Sequence, residues 1–353
     1  MLFLVQPNCI AMRYIGFILL LLLFCNSCQN ERNKQQVKLT HKELPVDQSM
    51  VIGAPVEMKC IDDNLIIVDR KSESFFHWIK LPEFRYMGFF GMRGQGPDEF
   101  LKVRSLHEFN DTLYCYDSHK SELSQLIPDD QTGQLQFKRC HAFQKSLVMD
   151  VFPLSSDRYV TYGCFEQGMF HLTDTAGTIC QITSDYPARD KAEAQLSNQV
   201  RFMAYQGNLD TDGNGRMVYL TAQSKQRYVY SLQNDSLVEL AVCQETFPQY
   251  TPDEQGGLSV SYASESPLGY QDVVAAKDYF YGLYSGKSVK EYREKAFECS
   301  QLDAYTWDGE LSVQYELDVP VMCICWDQTR QVFYGIANLP DPTLVEFSIP
   351  EIR

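Results

Sequence analysis

The sequence predicts an all-β fold built from repeated four-stranded antiparallel units. Six stretches share a polar, turn-like start followed by β-branched or aromatic residues: DNLIIVD, DTLYCYD, DRYVTYG, GRMVYLT, KDYFYGL and RQVFYGI. They recur at spacings from 46 residues (Leu113 to Tyr159) to 62 residues (Met217 to Tyr279). A second alternating strand, a turn and a third strand follow most copies, as in FFHWI, MFHLT and YVYSL. With a preceding apolar run such as VEMKC or VMCIC as the innermost strand, each unit is one blade, and six blades make a β-propeller.

Composition allows one large or two ordinary domains and argues against a nucleic-acid partner. The chain has 353 residues, of which 44% are apolar and 13% aromatic, which is enough to bury a large core. It carries 46 acidic and 31 basic residues, and its formal charge is −15. No stripe of lysine and arginine offsets this acidic field, so binding through phosphate neutralisation is not expected.

The amino terminus predicts export and lipid attachment. Met12 and Arg13 precede the apolar run YIGFILLLLLF, which has the length of a signal-peptide core, and CNSC follows it. Ser27 and Cys28 resemble the lipobox of bacterial lipoproteins, in which the cysteine is acylated and becomes the first mature residue. We therefore expect residues 1–27 to be a signal peptide and Cys28 to carry the lipid. The alternative is a short membrane anchor that is not cleaved.

The segments after the leader predict a tether and one propeller domain. Residues 28–48 are polar with mixed charge and are predicted to be a tether, and residues 49–353 are predicted to form the propeller. Gln29, rather than aspartate, follows the acylated cysteine, which favours sorting to the outer membrane by analogy with lipoproteins. The expected location is the cell envelope, with the membrane bound through the lipid.

The last repeat is one strand short, which predicts how the ring closes. It supplies VMCIC, QVFYGIA and LVEFSI before the chain ends. Closure of the ring removes exposed sheet edges, so a fourth strand must come from elsewhere. We expect it from residues 37–40 or from the segment near Met50.

The stretch GMRGQGPDEF at residues 91–100 predicts a tight connection between two blades. It lacks the lysine of a phosphate-binding loop, and two acidic residues follow its proline. We expect Gly94 or Gly96 to adopt a positive φ, because glycine tolerates it, and Pro97 to fix the exit from the turn.

This stretch also carries a family resemblance. Gly91, Gly94, Gly96, Pro97, Glu99 and Phe100 match G-x-x-G-x-G-P-x-E-[FY], which resembles a signature of six-bladed, TolB-like or NHL-like propeller lipoproteins. The resemblance implies a fold and a location, and it implies no activity. Arg93 is expected either to pair with Asp98 or Glu99 and brace the turn, or to face the propeller mouth as an anion contact.

One loop is a candidate for a structural calcium ion. DTDGNG at residues 210–215 matches the opening of a calcium-binding loop, with Asp210, Asp212 and Asn214 as oxygen ligands. Thr221 stands where an EF-hand has glutamate, and a strand rather than a helix follows. The alternative is a hairpin turn rich in Asp, Asn and Gly. No other cofactor is indicated.

Two classes of function remain open from the sequence. A binding or scaffold role on one propeller face, with a carbohydrate, a peptide or an envelope protein as partner, fits the 21 tyrosines and 21 phenylalanines. A lyase or hydrolase with its active site at the central channel is the alternative. The sequence contains neither an H-E-x-x-H motif nor a G-x-S-x-G elbow, which favours binding.

Overall fold

A computed structural model describes residues 35–350 except 48, 144–146 and 254–256. The predicted signal peptide, Cys28 and the first part of the predicted tether lie outside the described residues. None of the helices within the described part of the chain has the length and apolar character needed to cross a bilayer.

Four blades are separate four-stranded antiparallel sheets, each formed by consecutive strands. The first contains β3 (Pro55–Ile61), β4 (Asn64–Asp69), β5 (Ser74–Lys80) and β6 (Arg85–Met92). The second contains β7 (Val103–Phe109), β8 (Thr112–Asp117), β9 (Glu122–Asp129) and β10 (Gln134–Ala142). The third contains β11 (Val148–Pro153), β12 (Arg158–Gly163), β13 (Phe170–Asp174) and β14 (Ile179–Ile182). The fourth contains β15 (Gly207–Thr211), β16 (Arg216–Thr221), β17 (Gln226–Gln233) and β18 (Ser236–Gln244).

The last two blades share one long strand. They consist of β21 (Tyr270–Ala275), β22 (Tyr279–Tyr284), β23 (Cys299–Thr306), β24 (Leu311–Asp327), β25 (Val332–Asn338) and β26 (Pro342–Ser348). The first half of β24 pairs with β23, as in Gln301 opposite Glu316, and its second half pairs with β25, as in Ile324 opposite Gly335. Strand β24 is thus the outermost strand of the fifth blade and the innermost strand of the sixth. The described residues therefore contain six blades, and the predicted all-β propeller is confirmed.

The ring closes through strands from the beginning of the described chain. Strand β2 (His41–Glu43) pairs antiparallel with β26 and supplies the missing outer strand, whereas β1 (Gln35–Leu39) pairs with β24. Closure comes from the expected part of the chain, but the completing strand is 41–43 rather than 37–40 or the segment near Met50. The short polar sequence HKE has no alternating apolar pattern that would reveal it. Both strands lie within residues 28–48, the segment predicted as a tether.

The two ends of the central channel carry different connections. Where the innermost strands end, short hairpins follow them, at 62–63, 110–111, 154–157, 212–215, 276–278 and 328–331. Where the innermost strands begin, the connections include the long segments 183–206, 245–269 and 285–298. These segments hold α1 (Asn198–Ala204), the strands β19 (Tyr250–Pro252) and β20 (Val260–Tyr262), α2 (Val289–Tyr292) and the 3-10 turns Glu193–Gln195 and Arg293–Phe297. We call this end the loop face and the other the hairpin face.

The glycine-rich stretch connects β6 to β7, as expected, but the positive φ lies elsewhere. Gly91 has a φ of +70°, whereas Gly94 and Gly96 lie outside the left-handed region. A Cβ atom on Gly91 would approach Phe76 Cδ2 to 2.6 Å. Phe76 stands edge-on to the buried Phe100, with 5.3 Å between ring centroids. The expectation for Gly94 or Gly96 was wrong: the positive φ lies at Gly91, inside β6, where Phe76 and Phe100 leave no room for a side chain.

Arg93 braces this connection, but not through the predicted acidic partners. Its Nε donates to the carbonyl of Ser72 at 2.7 Å, another nitrogen donates to the carbonyl of Arg70, and the guanidinium lies 4.1 Å from the Phe75 ring centroid. Glu99 instead accepts from the backbone N–H of Gly96 at 2.7 Å. Pro97 is exposed in the turn. The role of this stretch as a family signature stays a prediction.

We expect Gly91→Ala to destabilise the protein by about 2–4 kcal/mol, because it adds a left-handed alanine and a clash with Phe76. Gly133→Ala is the matched control, since Gly133 has a φ of +66° but its nearest neighbour would lie 3.8 Å from the new Cβ. This control should cost about 1 kcal/mol. Urea unfolding of the three proteins measures both costs, and equal losses in the two variants would contradict the packing argument.

Candidate functional site

A cavity of about 330 Å³ opens at the loop face, where the innermost strands begin. Its lining includes Glu57, Arg70, Arg104, Asp150, Asn208 and Phe297. These residues come from different blades, so the ring itself assembles the cavity. We call it the mouth cavity.

Aspartates on the innermost strands share one local geometry. In Asp150, Asp210 and Asp272, Oδ1 accepts a hydrogen bond from the backbone N–H of the next residue, at 2.9, 2.8 and 2.8 Å. The strand pairing slips by one residue at Asp150 and at Asp272. Such a bulge re-aims a side chain, and here it directs a carboxylate along the channel wall.

The second carboxylate oxygen of each of these aspartates bonds to a neighbouring blade. Asp210 accepts from the backbone N–H of Ala275 at 2.7 Å, and Asp272 accepts from that of Ile324 at 2.9 Å. Asp150 accepts from the Ser105 hydroxyl and lies 3.1 Å from His107 Nε2. Bonds of this kind are about twice as strong when the carboxyl is ionised as when it is neutral. These carboxylates therefore hold adjacent blades together at the channel.

An ion pair crosses the channel below the mouth cavity. Lys59 lies on the first blade and Asp210 on the fourth, which are opposite each other in a ring of six, and their side chains bond directly. Their exposed fractions are 7% and 1%. Residues that precede Lys59 and Asp210 on their strands, such as Glu57 and Leu209, line the mouth cavity. Residues that follow them, such as Cys60 and Thr211, line a second cavity at the hairpin face. The pair thus separates the two cavities.

Burial and neighbouring charges shift the pKa values of several of these groups. Burial, together with the negative charge of Asp272, raises the pKa of Glu57 well above its usual range. Burial also raises the pKa of Asp272 to about 7, against the effect of its two backbone hydrogen bonds. For Lys59, burial alone would lower the pKa, but the charges of Asp210 and Glu57 and the hydrogen bond to Asp210 together raise it. Burial would raise the pKa of Asp150, yet His107 holds it below its ordinary value.

Two arginines and one carboxyl group face the mouth cavity without a partner. Among the described residues, the side chains of Arg70 and Arg104 form no hydrogen bond or ion pair, and the carboxyl of Glu57 accepts or donates none. Burial, and then the positive charge of Arg104, lowers the pKa of Arg70. The two guanidinium groups therefore act on each other across the mouth cavity.

The calcium candidates are placed in a turn and in the channel. Asp210 pairs with Lys59, and Asp212 accepts from Arg216 Nε at 2.6 Å and from the backbone N–H of Asn214 at 2.8 Å. These contacts form the hairpin between β15 and β16. Within the described parts of the chain, no group of three or more His, Cys, Asp or Glu is arranged to hold a metal ion. The calcium site stays a prediction, and the cationic partners of both carboxylates count against it.

Sequence analysis did not identify the residues of the mouth cavity. For Glu57, Arg104 and Asp150 the signal was a charged residue inside an innermost strand, as in VEMKC for Glu57 and VMDVF for Asp150. Such residues are expensive to bury unless they are paired or face a cavity. Arg70 follows β4 and gave no such signal. Because the strands lie tens of residues apart in the sequence, only the closed ring shows which of them converge.

The buried acid on β21 predicts how stability depends on pH. Asp272 keeps its proton to about pH 7 in the folded protein, whereas the unfolded chain releases it near 3.8. The folded state then binds more protons between about pH 4 and 7, so the free energy of unfolding should fall as the pH rises through this window. Asp272→Asn should flatten that slope, whatever its effect on absolute stability. Urea unfolding at several pH values measures the slope, and an unchanged slope would contradict the assignment.

Comparison with known proteins agrees with this architecture. No curated protein matches the sequence significantly. A protein of Bacteroides fragilis NCTC 9343, provisionally named as an exported protein, has a similar structure with a TM-score of 0.56 and 11% identity, covering 88% of this chain and 98% of that one. A luciferin-regenerating enzyme has a TM-score of 0.50 and 10% identity, covering 89% of this chain and 96% of that one. These similarities show the fold alone. A family model described as TolB-like 6-blade propeller-like matches residues 31–329, and the chain therefore belongs to that family.

Proposed function

We propose that the protein is an exported binding protein that holds its ligand in the mouth cavity at the loop face. The observation that carries this proposal is the set of unpartnered polar groups, Glu57, Arg70 and Arg104, that converge there. A concave site with a few convergent polar groups is the usual form of a small-molecule site, and its volume is near the lower end of the ~300–1,000 Å³ range. A carbohydrate, a peptide or another component of the envelope is the proposed partner.

The distribution of connections supports the choice of face. The long segments 183–206, 245–269 and 285–298 all lie at the loop face, and the last of them brings Phe297 to the cavity. Phe297 is 46% exposed, so its ring is available to a ligand. Binding residues commonly lie on loops that a rigid scaffold positions.

A lyase or hydrolase acting in the same cavity is the second candidate. The observation in its favour is Glu57, a carboxyl with a raised pKa and no hydrogen-bond partner, which is what a general acid requires. Asp150, Asp210 and Asp272 do not add to this, because their oxygens already bond to the backbone or to side chains of the ring. The hydroxyls of Ser105 and Tyr162, which also line the cavity, are bonded to Asp150 and Tyr219. One free acid beside side chains that are already bonded favours binding over catalysis.

The proposal can be tested with the soluble form that lacks residues 1–28. We expect calorimetry against oligosaccharides, sugar acids and peptides to find saturable binding, and chromogenic ester, glycoside and uronide substrates to show no turnover. Phe297→Ala should weaken the binding several-fold. Tyr279→Ala is the matched control, because Tyr279 is 37% exposed and lies beside the hairpin 276–278 at the other face.

Two results would contradict the proposal. If Phe297→Ala and Tyr279→Ala weaken binding equally, the ligand does not bind in the mouth cavity. Turnover that disappears in Glu57→Gln would establish the enzyme in place of the binding protein.

We also propose that the protein is a lipoprotein of the cell envelope, attached to the outer membrane through Cys28. The support is the order of the leader, with an apolar core, Ser27 and then Cys28, and the presence of Gln29. The name of the similar Bacteroides fragilis protein agrees with export. A diacyl anchor gives stable attachment, since each buried methylene contributes about 0.8 kcal/mol.

Cys28→Ala should move the protein from the membrane fraction to the soluble fraction and abolish labelling by a fatty-acid analogue. Cys25→Ala is the control within the same leader and should leave both unchanged. Labelling that persists in Cys28→Ala would show that the lipid is attached elsewhere or that the anchor is an uncleaved segment.

A further inference from the structure

Arg70 and Arg104 differ from the other cationic side chains of the channel, because neither guanidinium forms a hydrogen bond or ion pair with a described residue. Lys59 pairs with Asp210, and His107 lies against Asp150. Arg104 is half-buried, and Arg70 keeps exposed surface at the rim although the surrounding protein partly desolvates its guanidinium. The charge of Asp150 acts on both guanidinium groups from a distance. Each presents five N–H donors to the mouth cavity.

Asp150 and Glu57 are the acids that line the mouth cavity with these arginines, and Asp150 is already bonded to Ser105 and lies close to His107. Glu57 forms no hydrogen bond among the described residues. Its environment favours the protonated form, because the carboxyl is buried beside Asp272. A protonated carboxyl is a hydrogen-bond donor as well as an acceptor. The free groups of the mouth cavity are therefore mainly donors, and two of them are cationic, in a protein whose formal charge is −15.

We propose that the mouth cavity recognises an oxyanion, a carboxylate or a phosphate, carried by a small solute of about the size of a sugar. Arg70 and Arg104 bind the oxyanion, because the planar guanidinium matches carboxylate and phosphate geometry with two parallel hydrogen bonds. The neutral Glu57 carboxyl donates to it or to a neighbouring hydroxyl. The exposed ring of Phe297 contacts the apolar face of the solute. This inference rests on the proposed binding function and names the chemistry of its ligand.

The cavity at the opposite end of the channel is lined mainly by acidic residues, which supports placing the oxyanion at the loop face. The second cavity, of about 350 Å³, is lined by Asp62, Glu108, Asp111 and Asp212, with Lys277 as the basic residue among its lining. Burial raises the pKa of Glu108, which indicates that negative charge is already costly there. An anion is therefore repelled from the hairpin face and attracted to the loop face.

The test is calorimetry of the soluble form with D-glucuronate, glucose 6-phosphate and glucose as probes. We expect at least one of the two anions to bind saturably, with glucose at least tenfold weaker, and the comparison of the two anions identifies the preferred oxyanion. Arg104→Gln should weaken binding of that anion tenfold or more, because a charge-assisted pair is lost. Arg85→Gln is the matched control, since Arg85 is exposed at the start of β6 and does not line the cavity. Circular dichroism and thermal unfolding check that the variants are folded. Arg104→Lys keeps the charge but not the planar fork, so its affinity for the anion should lie between those of the unchanged protein and Arg104→Gln.

The outcomes separate this inference from the proposed function. If glucose binds as tightly as both anions, or if Arg104→Gln changes nothing while Phe297→Ala weakens binding, the oxyanion inference is wrong and the mouth cavity is still a binding site. If neither anion binds but a neutral solute from the wider screen does, the inference is also wrong. If nothing saturates the cavity, both fail.

Discussion

The ion pair between Lys59 and Asp210 is the interaction on which the channel depends. It joins opposite blades across the axis, and each of its groups is almost completely buried. Isolating either charge there would be strongly unfavourable, so the two blades must stay at the distance that the pair sets. Asp210 also accepts from the backbone of Ala275 on the next blade, which ties the pair to the ring itself. One carboxylate thus fixes both the diameter of the channel and the contact between two neighbouring blades.

The same requirement explains why so much charge in the channel is not available for function. Asp150 and Asp272 use their oxygens as Asp210 does, for the next backbone N–H and for a neighbouring blade. A buried polar group that is satisfied in this way stabilises one arrangement of the ring and leaves little to offer a ligand. Among the charged groups that line the mouth cavity, Glu57, Arg70 and Arg104 form no such bonds, and they define the candidate site.

The sequence predicted the architecture well and the site poorly, for a common physical reason. Strand pattern is local, so six repeats of about fifty residues reveal blades without any knowledge of their contacts. The closing strand 41–43 was not predicted, because three polar residues on a sheet edge need no apolar alternation. Arg93 was assigned acidic partners nearby in sequence, whereas it bonds to carbonyls on the turn after β4. Contacts between distant segments follow from closure of the ring and not from any single segment, and so does the convergence of Arg104 and Glu57 on the mouth cavity.

The order of charges along the channel argues that the mouth cavity is a blind site and not the entrance to a pore. A solute entering from the loop face meets the arginines and Glu57, which line the mouth cavity, and below them the bonded pair of Lys59 and Asp210. Passing further would require breaking that pair in a medium where separated charges are costly. Beyond it lies the acidic cavity of the hairpin face, which repels an anion. Attraction at the mouth without an exit below supports the proposal that the protein holds a ligand in the mouth cavity and releases it on the same side.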